Sequence, residues 1–230
     1  MNNLICFIPA RGGSKSILKK NIKELKGKPL IVYSIQIAFD LGIQRVIVNT
    51  DDEKIAEVAK QYGAEVMIRS KELAQDDTSM YEVLKNEIFK IQPLPELVLL
   101  LQPTSPFRKK IHIKIAISLF SNNLDKYDSL ISVEKVPEKY NPAQVIIKTQ
   151  NGHQMADGIH LSQRITRRQL HKEAFVPTGS IYLFKVSNLE KGSIYGEKTL
   201  LLETEPEINI NSLQDWKKAD KIIKQRNERY

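Results

Sequence analysis

The sequence predicts an α/β protein with a Rossmann-like, mostly parallel sheet that carries helices on both faces. Two observations support this fold class. Short apolar runs alternate with helix-length periodic segments through the first half of the chain, which is the pattern of βαβ units. A glycine-rich basic loop also follows the first apolar run directly, at the position where open α/β sheets bind their ligands.

The predicted elements follow one another regularly as far as residue 101. Residues 3–8 form a nearly continuous apolar run, which indicates a buried parallel strand. Pro29 suits the start of a helix and Gly63 suits the residue after one. In chain order, the sequence predicts strand 3–8, helix 30–41, strand 43–49, helix 52–62, strand 64–68, helix 78–91 and strand 97–101.

The pattern changes after residue 134. Turn signals at Pro137, Pro142 and Asn151-Gly152 alternate with short strand-like runs. We therefore expect a small β-containing excursion at about 136–180, within a single domain that spans residues 1–230.

The chain then returns to regular elements. Residues 180–185 read as a strand, and a final helix begins near Leu213. Ser212 and Asp215 have the spacing of a capping box for that helix. Its predicted inward stripe consists of Leu213, Trp216, Ala219 and Ile223.

Composition excludes several classes of protein. Hydrophobic residues make up 41% and charged residues 27% of the chain, as in ordinary globular proteins. No apolar run approaches the ~20 residues of a membrane span, and the N-terminal run lacks the basic segment of a signal peptide. The single cysteine, Cys6, cannot form an internal disulfide and is expected in the core. These features predict a cytoplasmic protein that does not bind membranes.

The net charge of +8 suits a polyanionic ligand. Nucleic acid is not the expected partner, because the chain has no zinc-finger spacing, no aromatic RNA-binding signature and no defensible helix-turn-helix. A nucleoside triphosphate together with an acidic sugar explains the positive charge equally well.

The basic loop after the first strand is the most informative segment. Gly12 and Gly13 let the backbone approach a ligand closely, and Arg11, Lys15 and Lys20 can neutralise a triphosphate. The spacing is neither the Walker A pattern nor G-x-G-x-x-G, so the ATPase and dinucleotide interpretations lack their fingerprints. Taken alone, the loop is also compatible with an ordinary basic βα turn.

The loop IPARGGSKSILKKNI resembles the signature loop of the CMP-acylneuraminate synthetase family. Five further blocks resemble that family in the same order along the chain. They are TDDEKIA at 50–56, the Arg69–Ser79 stretch, LLQPTSPFR at 100–108, RRQ at 167–169 with TGSIY at 178–182, and NIN at 209–211 followed by DW at 215–216.

The resemblance implies a homodimeric enzyme in which an acidic sugar attacks the α-phosphate of CTP in the presence of Mg²⁺. It implies roles for three groups of residues. These are catalytic Arg11, Lys15 and Lys20; nucleotide-binding Ala10, Gly12, Gly13, Ser14, Asn21, Arg69 and Ser79; and sugar-binding Gln102, Thr104, Arg168 and Gln169, of which the last two reach a sugar site that is often the partner subunit's.

Simpler interpretations of several of these residues stay open. Arg69 suits a surface ion pair, and Ser79 suits a helix N-terminal residue that bonds its own backbone. Gln102 suits the polar end of a strand. The arginine cluster around Arg168 suits a solvated face.

One departure from the resemblance concerns the metal. Asn209 and Asn211 stand where the family commonly has aspartates that bind Mg²⁺, so they are weak candidates for metal ligands. Glu205, Glu207 or the triphosphate are the alternatives. The departure leaves two other functions open: transfer to Kdo or a sugar 1-phosphate with a different base, and a catalytically silent paralogue that binds nucleotide.

Overall fold

The structure is a computed structural model that describes residues 3–150 and 152–227, with side chains described as far as residue 222. Its strands are β1 (Leu4–Pro9), β2 (Glu24–Leu25), β3 (Lys28–Pro29), β4 (Val46–Thr50), β5 (Glu65–Ile68), β6 (Leu97–Leu100), β7 (Ser129–Lys135), β8 (Ile146–Thr149), β9 (Gly152–Met155), β10 (Phe175–Lys185) and β11 (Thr199–Glu203). Its α-helices are α1 (Leu30–Asp40), α2 (Glu53–Gln61), α3 (Met80–Ile88), α4 (Lys110–Ser121) and α5 (Leu213–Asn227).

Seven strands form the main sheet, in the order β11-β7-β10-β6-β1-β4-β5. The pairs β1–β4, β1–β6, β4–β5 and β7–β11 are parallel, and β10 runs antiparallel to both of its neighbours. The predicted mostly parallel sheet is therefore confirmed. The chain adds β4 and β5 on one side of β1 and then crosses to β6 on the other. This reversal creates a switch point, where ligands of such sheets bind.

Helices cover both faces of the sheet, as predicted. One core cluster packs side chains of α1, α2 and α4 against one face, and a second packs α3 against the other. Cys6 lies fully buried in the first cluster, and this burial raises the pKa of its thiol to about 12. The thiol is therefore unreactive at neutral pH, as expected for a core cysteine. Among the described residues, no helix is both long and apolar enough to cross a bilayer.

Local capping explains the observed helix boundaries. Asp52 caps α2 by accepting hydrogen bonds from the amides of Lys54 and Ile55, so the helix begins at residue 53. A capping box at Ser79 starts α3 two residues later than predicted. The predicted capping box of α5 is confirmed, because the Asp215 amide donates to Ser212 Oγ over 3.2 Å.

The prediction of the inward stripe of α5 is only partly correct. Trp216 and Ala219 are buried against Ile17 and Leu25, whereas Leu213 is 54% exposed. Leu213 is the first residue of the helix, one turn before the part that packs on this cluster. The side chain of Ile223 lies outside the described residues.

The segment between β7 and β10 contains the predicted hairpin. β8 and β9 pair antiparallel and form a two-stranded sheet of their own, with Thr149 opposite Gly152. Asn151, the other half of the turn signal, lies outside the described residues. Residues 175–177, assigned to the excursion from the sequence, instead pair with β7 in the main sheet.

A buried arginine joins three parts of this framework. Arg108 Nε donates to the Ser180 carbonyl over 2.5 Å, and Nη1 donates to the Ser105 carbonyl over 2.7 Å and to Ser34 Oγ over 3.0 Å. Nη2 donates to the Gln102 carbonyl. Burial lowers the pKa of Arg108 to about 10, so the group is still charged at neutral pH. The guanidinium thus ties the loop after β6 to β10 and α1.

We expect Arg108→Met to lower the free energy of unfolding by about 3 kcal/mol or more, because it leaves three carbonyl oxygens without their donor in the interior. Urea denaturation followed by the fluorescence of Trp216 measures the change. Lys109→Met is the matched control. Its ion pair with Glu205 is exposed, so the change there should stay below about 1 kcal/mol. Equal losses in both variants would contradict the role of Arg108.

Candidate functional site

A cavity of about 290 Å³ lies at the switch point of the sheet, between the loops that follow β1, β5 and β6. All three strands are parallel, so these loops lie at the same edge. The site residues from the sequence that line the cavity are Arg11, Gly13, Ser14, Lys20, Asn21, Arg69, Gln102 and Thr104. Eight predicted site residues from three loops therefore meet at one place, which sequence spacing alone did not show.

The first loop is held by the turn between β4 and α2. The Gly12 amide donates to Asp51 Oδ1 over 3.0 Å. A Cβ atom at Gly12 would lie 2.7 Å from Asp52 Cβ, so only glycine permits this approach. The Asn21 side chain donates to the Arg11 carbonyl over 2.9 Å and closes the loop from the other side. Gly12 and Asn21 therefore shape the loop through backbone contacts.

Ala10 has a similar supporting position. Its amide donates to the Asn49 carbonyl over 2.9 Å, and its side chain is fully buried. Neither Ala10 nor Gly12 lines the cavity. Both fix the path of the loop on which Arg11, Gly13 and Ser14 stand.

Three cations face the cavity. Lys20 Nζ donates to the Ile210 carbonyl over 3.2 Å, and burial, together with the charge of Arg11, lowers the pKa of Lys20. Burial also lowers the pKa of Arg69, against the opposing charge of Asp51. Like charges and burial both penalise these cations, so an anionic ligand in the cavity would be bound favourably.

Asp76 is the one carboxylate among the described residues that line the cavity. It lies 2.8 Å from Arg11 Nη2 and 2.5 Å from Lys15 Nζ, and Arg11 Nη1 also donates to the Gln75 carbonyl over 3.1 Å. The hydrogen bond from Lys15 is the main reason that the pKa of Asp76 is lowered. Lys15 itself is exposed and does not line the cavity, to which its ion pair with Asp76 connects it. Carboxylate and phosphate bind such cations in similar ways, so a polyphosphate would compete with Asp76.

Gln102 and Thr104 form the opposite wall. The Gln102 carbonyl accepts from Arg108, and the Thr104 carbonyl accepts from the Ile210 amide over 2.7 Å. These backbone contacts fix the loop after β6, with both side chains on the lining of the cavity. The position of Gln102 on the lining permits the predicted contact with a sugar, and that contact stays a prediction.

Other predicted residues do not reach this cavity. Ser79 Oγ accepts from the Glu82 amide over 3.1 Å, which is the geometry of a helix N-terminal residue. Arg168 and Gln169 are exposed residues of the excursion, and Arg168 lines a separate depression beside Glu138 and Gln144. A role for these two side chains in the cavity of the same subunit is not supported. Their role in a partner's site stays a prediction.

The asparagines at the expected metal position do not make a protein-held Mg²⁺ site. Asn209 Oδ1 is buried without a hydrogen-bond partner, and Asn211 is exposed. Within residues 3–150 and 152–227, no group of three or more His, Cys, Asp or Glu side chains is arranged to hold a metal ion. Mg²⁺ prefers anionic oxygens, and a single buried amide oxygen does not fit this preference.

The two nearby glutamates are engaged elsewhere. Glu205 pairs with Lys109 at the surface. Glu207 accepts from Ser180 Oγ over 2.8 Å and lies 3.6 Å from His112 Nδ1. Neither carboxylate stands in for the missing aspartates in this arrangement.

Comparison with known proteins identifies relatives along most of the chain. The family model described as "Cytidylyltransferase" matches residues 5–191. N-acylneuraminate cytidylyltransferase of Escherichia coli O18:K1:H7 is 33% identical over 228 residues, which cover 97% of this chain and 53% of that protein. The chain thus spans about half the length of this relative. CMP-N,N'-diacetyllegionaminic acid synthase of Legionella pneumophila is 33% identical over 229 residues and 96% of each chain.

Solved structures share the fold at low sequence identity. CMP:2-keto-3-deoxy-manno-octonic acid synthetase, in a complex with CTP, superposes with a TM-score of 0.74 at 14% identity and covers 98% of this chain and 100% of that one. A 4-diphosphocytidyl-2C-methyl-D-erythritol synthase from Anaerococcus prevotii superposes with a TM-score of 0.65 at 15% identity, and the match covers 96% of this chain and 98% of that one. At these identities the likeness concerns the fold alone.

Proposed function

Since the chain belongs to the cytidylyltransferase family, we propose that it joins CMP from CTP to an acidic nonulosonic sugar of the sialic, legionaminic or pseudaminic type. The observation that carries the proposal is the cavity in which Arg11, Lys20 and Arg69 face Gln102 and Thr104. Cations on one wall and polar side chains on the other suit a triphosphate beside a sugar. The names of the two 33%-identical relatives support the choice of sugar class.

The proposed reaction is a displacement at the α-phosphorus. An oxygen–phosphorus bond forms from the sugar's anomeric hydroxyl, and the bond to the oxygen that bridges the α- and β-phosphates breaks. Pyrophosphate leaves with the electron pair, and the hydroxyl proton passes to solvent. Such a transfer needs little covalent help from the protein, which mainly has to position the reactants and stabilise charge.

The residues divide this work between them. Arg11 and Lys20 neutralise the triphosphate in the cavity, and Lys15, the ion-pair partner of Asp76, stabilises the leaving pyrophosphate. Arg69 contacts the base, while Gln102 and Thr104 orient the sugar. When the triphosphate binds, it replaces Asp76 as the partner of Arg11 and Lys15.

The proposal includes a cytoplasmic location, which suits a buried cysteine without a disulfide partner among the described residues. It includes neither nucleic acid nor membrane as a partner. The anion that the cavity cations Arg11, Lys20 and Arg69 would bind is instead the proposed nucleotide.

We expect pyrophosphate release with CTP and an acidic nonulosonic sugar. A screen of CTP, UTP, GTP and ATP against acidic sugars and sugar phosphates measures it by a coupled pyrophosphate assay. Pyrophosphate release with UTP, GTP or ATP but not with CTP would show that the predicted base, cytosine, is wrong. Release with no pair, despite binding of CTP, would favour a silent nucleotide-binding protein.

Lys15→Ala serves as the loss-of-function variant in this screen. We expect kcat/KM to fall by at least ~10²-fold, because one charge that faces the leaving group is removed. Lys114→Ala, an exposed lysine of α4, is the control and should keep the wild-type rate. A wild-type rate for Lys15→Ala would remove Lys15 from the site.

We further propose a homodimer formed through the excursion. This segment exposes several large apolar side chains close together in sequence: Tyr140 (59%), Ile146 (54%), Ile147 (39%), Leu161 (37%) and Leu170 (62%). Exposed apolar patches of this kind are typical of protein interfaces. Arg168 and Gln169 stand in the same segment, so dimerisation offers a way to bring them to the partner's cavity.

We expect sedimentation equilibrium at micromolar concentration to show a dimer. Ile147→Lys should shift the protein to monomer, because it places a charge in the apolar interface. Ile111→Lys alters an exposed isoleucine of α4 and should leave the dimer intact. A wild-type protein that sediments only as a monomer would contradict the proposal.

We propose Mg²⁺ as the cofactor, carried by the phosphates of CTP because Asn209 and Asn211 give it no anionic oxygens. We expect calorimetry without nucleotide to find no micromolar Mg²⁺ site. Asn211→Asp should lower the Mg²⁺ concentration needed for half-maximal rate, since it restores a carboxylate. Asn122→Asp, at the end of α4, is the control. Tight Mg²⁺ binding by the nucleotide-free protein would contradict this account.

A further inference from the structure

A buried carboxylate lies beneath the cavity, and the proposed chemistry does not use it directly. Glu87 is 1% exposed and belongs to the inward stripe of α3, together with Val83, Leu84 and Ile88. An ionised carboxylate in such a stripe is costly unless it is well partnered. Its Oε1 accepts from Lys90 Nζ over 2.6 Å at the surface end. The other carboxylate oxygen of Glu87, on the inner side, therefore needs a hydrogen-bond donor as well.

That inner partner is Asn49, which is 0% exposed on β4. Asn49 Nδ2 donates to Glu87 Oε2 over 2.9 Å and approaches the Met67 carbonyl at 3.3 Å. A carboxylate can only accept, so the amide must turn its NH₂ group towards Glu87. Its oxygen consequently points away from Glu87, and Asn49 Oδ1 is buried without a hydrogen-bond partner.

Strand geometry brings this pair to Arg69. Asn49 is opposite Met67 in the β4–β5 register, and the Arg69 amide donates to the Thr50 carbonyl over 2.9 Å just after β5 ends. Side chains two residues apart share a face of a sheet, so residues 49, 67 and 69 belong to the face covered by α3. Glu87 and Asn49 therefore lie on the same side of the sheet as Arg69, which lines the cavity.

The counter-ion of Arg69 is distant. Its side chain is 4% exposed, and among the described residues its Nε is buried without a hydrogen-bond partner and the nearest carboxylate oxygen, on Asp51, is 3.9 Å away. The charges of Asp51 and Glu87 both oppose the effect of burial on the pKa of Arg69. Both carboxylates therefore stabilise the charged guanidinium.

We propose that Glu87 is a positioning residue for Arg69, and that its charge, held in place by the hydrogen bond from Asn49, keeps the guanidinium directed at the nucleotide base. Without that charge, Asp51 is the remaining counter-ion, and the 3.9 Å gap closes to a direct ion pair that draws Arg69 out of the cavity. The inference rests on the proposed function, because the base in question is that of the proposed nucleotide.

The experiment measures the binding of two probes to the full chain by calorimetry. CMP reports the nucleoside part of the cavity, and inorganic tripolyphosphate reports Arg11, Lys15 and Lys20. Glu87→Gln has the same size without the charge. We expect it to raise the dissociation constant of CMP at least ~10-fold and that of tripolyphosphate less than ~2-fold. Loss of both probes, or of neither, overturns the proposal. Glu57→Gln on the exposed face of α2 is the matched control.

A double-mutant cycle shows whether Glu87 acts through Arg69. Arg69→Met should lower the affinity for CMP, and Glu87→Gln added to that variant should lower this affinity by less than a further ~2-fold. An equal loss in both backgrounds overturns the proposal. In steady-state kinetics, Glu87→Gln alone should have a higher KM for CTP and a nearly unchanged kcat, whereas a general structural defect would lower kcat.

Further controls separate this inference from the proposed function. Thermal unfolding establishes that Glu87→Gln is folded. If its yield is low, Asn49→Ser removes the hydrogen bond that holds the Glu87 carboxylate and should selectively weaken the binding of CMP. Binding of CMP by Asn49→Ser that equals the wild type overturns the proposal. Failure of the wild type to bind CTP or CMP contradicts the proposed function. Wild-type binding of CTP with unchanged CMP affinity in Glu87→Gln contradicts the positioning role alone.

Discussion

The buried guanidinium of Arg108 is the constraint on which the site depends. It is the common donor to the Gln102, Ser105 and Ser180 carbonyls, so it fixes the loop after β6 against the antiparallel strand β10. That loop carries Gln102 and Thr104, and the Thr104 carbonyl in turn anchors the segment at Ile210. A hydrophobic side chain could fill the space but could not satisfy three carbonyls at once. One buried charge therefore sets the wall of the cavity opposite the basic loop.

The positive charge of the cavity is balanced by carboxylates that stand behind or beside it. The negative charges of Asp51, 3.9 Å from Arg69 Nε, and of Glu87 on α3 favour the Arg69 guanidinium, whereas Asp76 pairs with Arg11 and Lys15 in the cavity itself. The inner carboxylates are fixed by hydrogen bonds, such as that from Asn49 to Glu87. The Asp76 side chain is 46% exposed and can yield its cations to a phosphate at little cost. The difference in burial separates structural counter-ions from an exchangeable one.

Much of the fold could be predicted from the sequence, because in the first hundred residues the apolar period matches the element. This match between apolar period and element fails at α4, where Ile111, Ile113, Ile115 and Ile117 alternate as in a strand. The helix forms nonetheless, with Ile113, Ala116, Ile117 and Phe120 buried and Ile111 and Ile115 exposed. The site shows the same limit. The motifs identify Arg11, Lys20 and Gln102, but Asp76 and Glu87 acquire their roles only through contacts across the sheet. The sequence signal for Glu87 was an acidic residue in the apolar stripe of α3.

The neutral pair Asn209 and Asn211 has a consequence for Lys20. The Lys20 ammonium contacts the carbonyl of Ile210, and both chain neighbours of Ile210 are neutral asparagines. Amides leave its charge uncompensated from that side, which agrees with a pKa lowered by burial and by Arg11. Gly179 accommodates Asn209, since a Cβ there would lie 2.6 Å from Asn209 Nδ2. The loss of two negative charges thus weakens any hold on a free cation and at the same time strengthens the attraction of the same wall for a triphosphate that brings its own cation.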